Sequence, residues 1–114
     1  MKFFEKYQFK IKNTDGSYSV VPKKQDSLIL ADFLGIWNSS KDIKEEILPD
    51  VNLILNGDKQ STEFGADVVG LIYIQQKITK LITSDLGSKD MQLPKEDFKH
   101  LLLEWTAFLE SKGR

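Results

Sequence analysis

The sequence predicts an α+β fold: a mostly antiparallel twisted sheet, with a long C-terminal helix and one or two further helices packed against it. Three observations lead there. Near the N-terminus, aromatic and aliphatic residues alternate with polar ones, as on a half-buried strand. Val68–Ile74 is a nearly continuous apolar run, which reads as the central strand of a sheet covered on both faces. From Pro94 onward the apolar residues recur at helical spacing instead.

Taken in order, Phe3, Tyr7, Phe9 and Ile11 alternate with Lys6, Gln8, Lys10 and Lys12 in a first strand. Asp15-Gly16 supplies the positive φ angles of a tight hairpin. Tyr18 and Val20 return the chain, and Pro22, which lacks an N–H donor, ends the run. Asp26 or Ser27 can cap a helix over 26–38. Its Leu30, Phe33, Leu34 and Trp37 share one face, with Trp37 in the core and Asp32 partly buried. Lys41–Leu48 predicts a short helix with Ile43 and Ile47 inward, stopped by Pro49.

Val51, Leu53 and Leu55 then predict a strand, Asn56-Gly57-Asp58 a hairpin turn, and the stretch near Gln60–Phe64 the return strand. Val68–Ile74 follows. The chain turns at Gln75-Gln76-Lys77, runs as a strand over Ile78–Thr83, and loops over Thr83–Asp90. The last element is a helix with Pro94 at its first position and Glu96 and Asp97 at its positive end. Lys112-Gly113 close it. Phe98, Leu101, Leu102, Trp105, Phe108 and Leu109 form its apolar stripe.

Composition narrows the chemistry. The 114 residues suit one domain spanning 1–114. With no cysteine, disulfides, thiolate ligands and thiol catalysis are all excluded. One histidine, His100, on the last helix cannot build a zinc site of the usual His/Cys type. The seven glycines are scattered, and no Gly-x-Gly-x-x-Gly, Walker or Gly-x-Ser-x-Gly motif is present. No catalytic residue, metal or cofactor is expected. The apolar runs are too short to span a bilayer, and charge returns within a few residues of Met1, so the expected location is the cytoplasm.

Charge is unevenly spread along the chain. Residues 1–24 hold six lysines against Glu5 and Asp15, a net +4. Residues 25–66 hold Lys41, Lys44 and Lys59 against eight acids, a net −5. Lys6, Lys10 and Lys12 fall on one side of the first strand. A lysine-decorated edge strand explains that row as well as nucleic-acid binding does, and no direct nucleic-acid contact is expected. Asp42, Glu45, Glu46, Asp50, Asp58, Glu63 and Asp67 form one negative patch if the short helix and the following hairpin lie side by side. Such a patch steers association with a basic partner.

Two stretches, Phe64-Gly-Ala-Asp-Val-Val-Gly-Leu-Ile-Tyr73 and Leu93-Pro-Lys-Glu-Asp-Phe-Lys-His-Leu-Leu-Leu-Glu-Trp-Thr-Ala-Phe-Leu109, resemble segments of small bacterial immunity proteins. These accompany polymorphic toxins, including contact-dependent growth inhibition systems. The matching residues are structural ones, so no functional residue carries over from them. The resemblance implies a cytoplasmic, non-enzymatic inhibitor that covers the active site of a cognate toxin C-terminal domain. Many such toxins are nucleases with basic clefts, and the seven acids are the residues expected to meet one.

The alternatives are an adaptor or subunit-type binding module using a sheet edge or apolar patch, and an enzyme relying on carboxylates alone. The latter requires a deep pocket gathering two or more of Asp32, Asp50, Glu63 and Asp67.

Overall fold

A computed structural model describes residues 1–24, 27–66, 70–76, 78–83 and 91–114. The fold is α+β, and every described strand pairing is antiparallel. The strands form two sheets rather than the single one expected.

The chain opens with a short helix, α1 (Lys2–Lys6), where the alternating pattern predicted a strand from Phe3. Local sequence does not favour this helix; a distant side chain supports it. The Glu104 carboxylate accepts the backbone N–H groups of Phe3 and Phe4 at 2.8 and 2.9 Å, which satisfies donors that a helix start leaves unpaired. Phe4, rather than Phe3, is then buried. Lys6 belongs to this helix, so only Lys10 and Lys12 remain of the predicted strand row.

Strands β1 (Phe9–Thr14) and β2 (Ser17–Pro22) form the expected hairpin, with Thr14 opposite Ser17. Asp15 and Gly16 close it at φ 53° and 87°, the double left-handed geometry that only glycine and short polar residues tolerate. Helix α2 (Leu28–Ile36) contacts β2 and buries Leu30, Phe33 and Leu34 as predicted, while Trp37 is half-buried against Phe33. Asp32 is exposed, against the expectation of partial burial.

The chain is helical from Ser40 through Leu55, as α3 (Ser40–Asp42), a π-helical turn (Ile43–Ile47) and α4 (Leu48–Leu55). This corrects two expectations. Pro49 does not stop the helix, because its missing N–H falls at the start of α4, where the π-turn has already interrupted the regular hydrogen-bond ladder. The π-turn before it, with Leu48 N–H reaching the Ile43 carbonyl, also relieves the clash that the proline ring would make in a regular helix.

The predicted strand at Val51–Leu55 is therefore helical. Ile47, Leu48, Val51 and Ile54 align on the buried side, and Leu53 is 41% exposed. Asn56-Gly57-Asp58 is the helix terminus instead of a hairpin turn. Asp58 N–H bonds the Leu53 carbonyl at 2.9 Å and Gly57 N–H bonds that of Ile54 at 3.1 Å, with Gly57 at φ 82°.

The second sheet has the order β3-β4-β5-β6, from β3 (Ser61–Ala66), β4 (Gly70–Gln75), β5 (Thr79–Thr83) and β6 (Met91–Leu93). The expected apolar strand is internal, with Ile72 and Ile74 buried. β6 was not anticipated. The predicted loop, apart from Thr83, lies outside the described residues, as do Asp26, Val68, Val69 and Lys77. Helix α5 (Lys95–Ser111), with Pro94 as its cap residue rather than its first position, runs about 25 Å and buries the predicted stripe except Phe108, which is half-buried.

Because nothing lies within 4 Å of a Cβ built on Gly57, alanine there meets only backbone strain. Gly57→Ala is expected to lower stability by about 1–2 kcal/mol without changing the fold, read as a lower urea midpoint at an unchanged slope.

Candidate functional site

The acids expected to form a patch divide into two groups. Burial of Ile43 and Ile47 at 0% exposure turns the helical rod so that Asp42, Glu45 and Glu46 all face solvent. Ser39 caps the rod, its Oγ accepting the Asp42 N–H at 3.4 Å. Two lysines share this stretch, Lys41 and Lys44. Lys44 is drawn away to Glu110 on α5, with 2.6 Å between Nζ and the carboxylate. The outer turn therefore keeps three acids against Lys41.

Asp50 follows about 6 Å beyond Glu46 along the rod and behaves differently. It is half-buried, accepts the Thr62 hydroxyl at 3.2 Å and pairs with Lys59 at 3.5 Å. Its work is structural: it ties α4 to β3. Asp58 and Glu63 are exposed, one just past the end of α4 and the other beside Thr62 on β3. The rod meets β3 through α4, beyond the turn that carries Asp42, Glu45 and Glu46, and the hairpin that was to complete the patch does not form. Asp67 lies outside the described residues.

A second polar cluster escaped the sequence reading because its members are some ninety residues apart. Asp97, 8% exposed, accepts Lys6 Nζ and the Tyr7 hydroxyl, each at 2.7 Å. Burial alone would raise the Asp97 pKa. The hydrogen bonds from Lys6 and Tyr7, with the charges of Lys6 and His100, outweigh it and hold the carboxyl below its ordinary value. The same arrangement pushes the Tyr7 phenol well above its ordinary value, through burial first and then the bond to Asp97 and its charge.

His100 is exposed and stacks on Phe3, with ring centroids 4.4 Å apart and planes 3° from parallel. Every member of this cluster except Asp97 and His100 comes from the α1 segment, so its chemistry is spent on docking α1 to α5.

Of the four carboxylates named for an acid–base pocket, Asp32 stands exposed on α2, where partial desolvation raises its pKa. Asp50 and Glu63 lie on α4 and β3. Among the described residues, no three His, Asp or Glu side chains are grouped to hold a metal ion, and no described helix is long and apolar enough to cross a membrane. No protein-family model matches the chain, and neither does any curated protein or solved structure.

Because the Asp97 pKa is lower in the folded chain than in the unfolded one, its stabilising effect is complete above the ordinary carboxylate value of about 3.9 and fades as pH falls through the folded value. Lys6 is more than half exposed, so solvent screens its share of that effect and leaves more of it to the Tyr7 hydrogen bond, while burial opposes it. Asp97→Asn is expected to cost about 1–3 kcal/mol at neutral pH. Urea titrations of the two proteins should converge as pH drops below about 4.

Proposed function

We propose that this chain is a non-enzymatic immunity protein of a polymorphic-toxin system, acting in the cytoplasm of the cell that makes it. It binds a cognate toxin C-terminal domain, a nuclease, and covers that domain's basic active site. The observation that carries this reading is the outer turn of the helical rod, where Asp42, Glu45 and Glu46 project side by side while Ile43 and Ile47 anchor the backbone beneath.

Carboxylates on a rigid element can stand in for the phosphates that a nuclease cleft is built to receive. Their field also accelerates encounter with a basic surface. Asp58 and Glu63 extend the same negative field toward β3. Asp50, spoken for by Lys59 and Thr62, contributes less. The engagement of His100 and Asp97 in docking α1 supports a role that makes no use of acid–base chemistry.

The test is purification of the chain together with the C-terminal toxin domain encoded beside it. A stable complex, and protection of cells expressing that domain, are expected; no complex and no protection would overturn the reading. Reversing both charges in Glu45→Lys/Glu46→Lys should slow association at low salt by about tenfold or more. The melting temperature should stay nearly constant, because both side chains are exposed. Association that is unchanged in rate and in salt dependence would remove the acidic turn from the interface.

A further inference from the structure

The outer face of the β1–β2 hairpin carries the opposite charge. Alternation turns Phe9, Ile11 and Val20 toward the protein and Lys10 and Lys12 away from it. Lys10 lies opposite Val21, Lys12 lies opposite Ser19, and Lys23 continues the outward row. All three lysines are exposed, and none forms an ion pair among the described residues.

At one end of this face is a half-open cavity of about 240 Å³, lined by Gln8, Lys10, Val21, Pro22 and Lys23. Val21, 40% exposed, gives it an apolar floor. Gln8 holds a left-handed φ of 59°, fixed by its N–H on the Glu5 carbonyl and by its own carbonyl, which accepts the Lys23 N–H at 3.1 Å. Strained backbone of this kind is kept only where neighbouring contacts over-determine it.

Lysines around an apolar floor fit an acidic surface. They fit single-stranded nucleic acid poorly, because bases need aromatic platforms and the nearby rings point the other way. Tyr7 is bonded to Asp97, Phe9 is buried, and Tyr18 packs on Phe108. The chain itself carries an acidic surface, the exposed Asp42, Glu45 and Glu46 of the rod's outer turn.

We propose that a second copy of this chain docks on the hairpin, its Asp42–Glu46 turn lying against Lys10, Lys12 and Lys23. The contact is head to tail, so each copy uses its hairpin for one neighbour and its rod for another. It rests on the same acidic turn as the toxin-binding reading and adds a regulation of it: a docked copy and a bound toxin exclude each other.

Sedimentation velocity over a concentration series tests this at about 0.01 M and about 0.15 M salt, where the screening length falls from about 30 Å to about 8 Å. The natural chain is expected to sediment faster with rising concentration at the lower salt and as a monomer at the higher. Lys10→Glu/Lys12→Glu alone and Glu45→Lys/Glu46→Lys alone should each stay monomeric. An equal mixture of the two should associate, because an acidic hairpin then meets a basic rod.

A natural chain that stays monomeric at low salt overturns the proposal, and so does a mixture that fails to associate. Binding of a single-stranded oligonucleotide to a hairpin that leaves the chain monomeric also overturns it. The Lys10→Glu/Lys12→Glu variant is expected to keep its toxin binding, so loss of self-association and failure of the immunity reading are read separately.

Discussion

Trp105 is the point on which most of the structure converges. Its side chain is fully buried, and its indole N–H donates to the Trp37 carbonyl at 2.7 Å, which satisfies the end of α2. One neighbouring ring is Phe4 of α1, at 6.3 Å; another is Phe108 of its own helix, at 5.7 Å, which in turn meets Tyr18 of the hairpin. Truncating a buried tryptophan typically costs about 3–5 kcal/mol, against a total stability of about 5–15 for a domain. A single side chain on α5 thus joins α1, α2 and the hairpin. The rod that carries the acidic turn begins three residues after the Trp37 carbonyl it holds.

What could be read from the sequence follows from how far each signal reaches along the chain. The hairpin is encoded by adjacent residues, Asp15-Gly16 between alternating strands, and formed as expected. The stripe of α5 and the face of α2 are encoded within a few turns, and both stand. Helix α1 could not be read because its cap, Glu104, is a hundred residues away. Residues 51–55 read as a strand for another reason. Proline stops a helix in its interior but starts one in its first turn, and Asn-Gly-Asp closes a helix as readily as it turns a hairpin. Only the burial of Val51 and Ile54 on one side decides between the two.

The candidate surface was legible to a similar degree. That residues 42–46 would be acidic and helical, with Ile43 and Ile47 inward, could be seen directly. That Asp50 would be spent on Lys59 and Thr62 could not, because it depends on where β3 comes to lie against α4. Lys44 counts against the acids in a charge sum, and its pairing with Glu110 on α5 leaves the neighbouring acids dominant. A charge sum along the chain cannot separate carboxylates that hold elements together from those that face a partner.

That separation is the main consequence for function. Asp97 and Glu104 hold α1 against α5 through backbone and side-chain donors, whereas Asp42, Glu45 and Glu46 have no described partner beyond the rod's own cap. Asp97 couples stability to pH, because protonating it removes the charged acceptor that Lys6 and Tyr7 donate to. In the proposed reading the outer acids couple binding to ionic strength, because their field reaches only as far as screening allows. The acids that hold elements together are thus separate from the acids proposed for recognition, and they lie on different elements. The outer turn can therefore change its charge while the contacts that centre on Trp105 stay as they are.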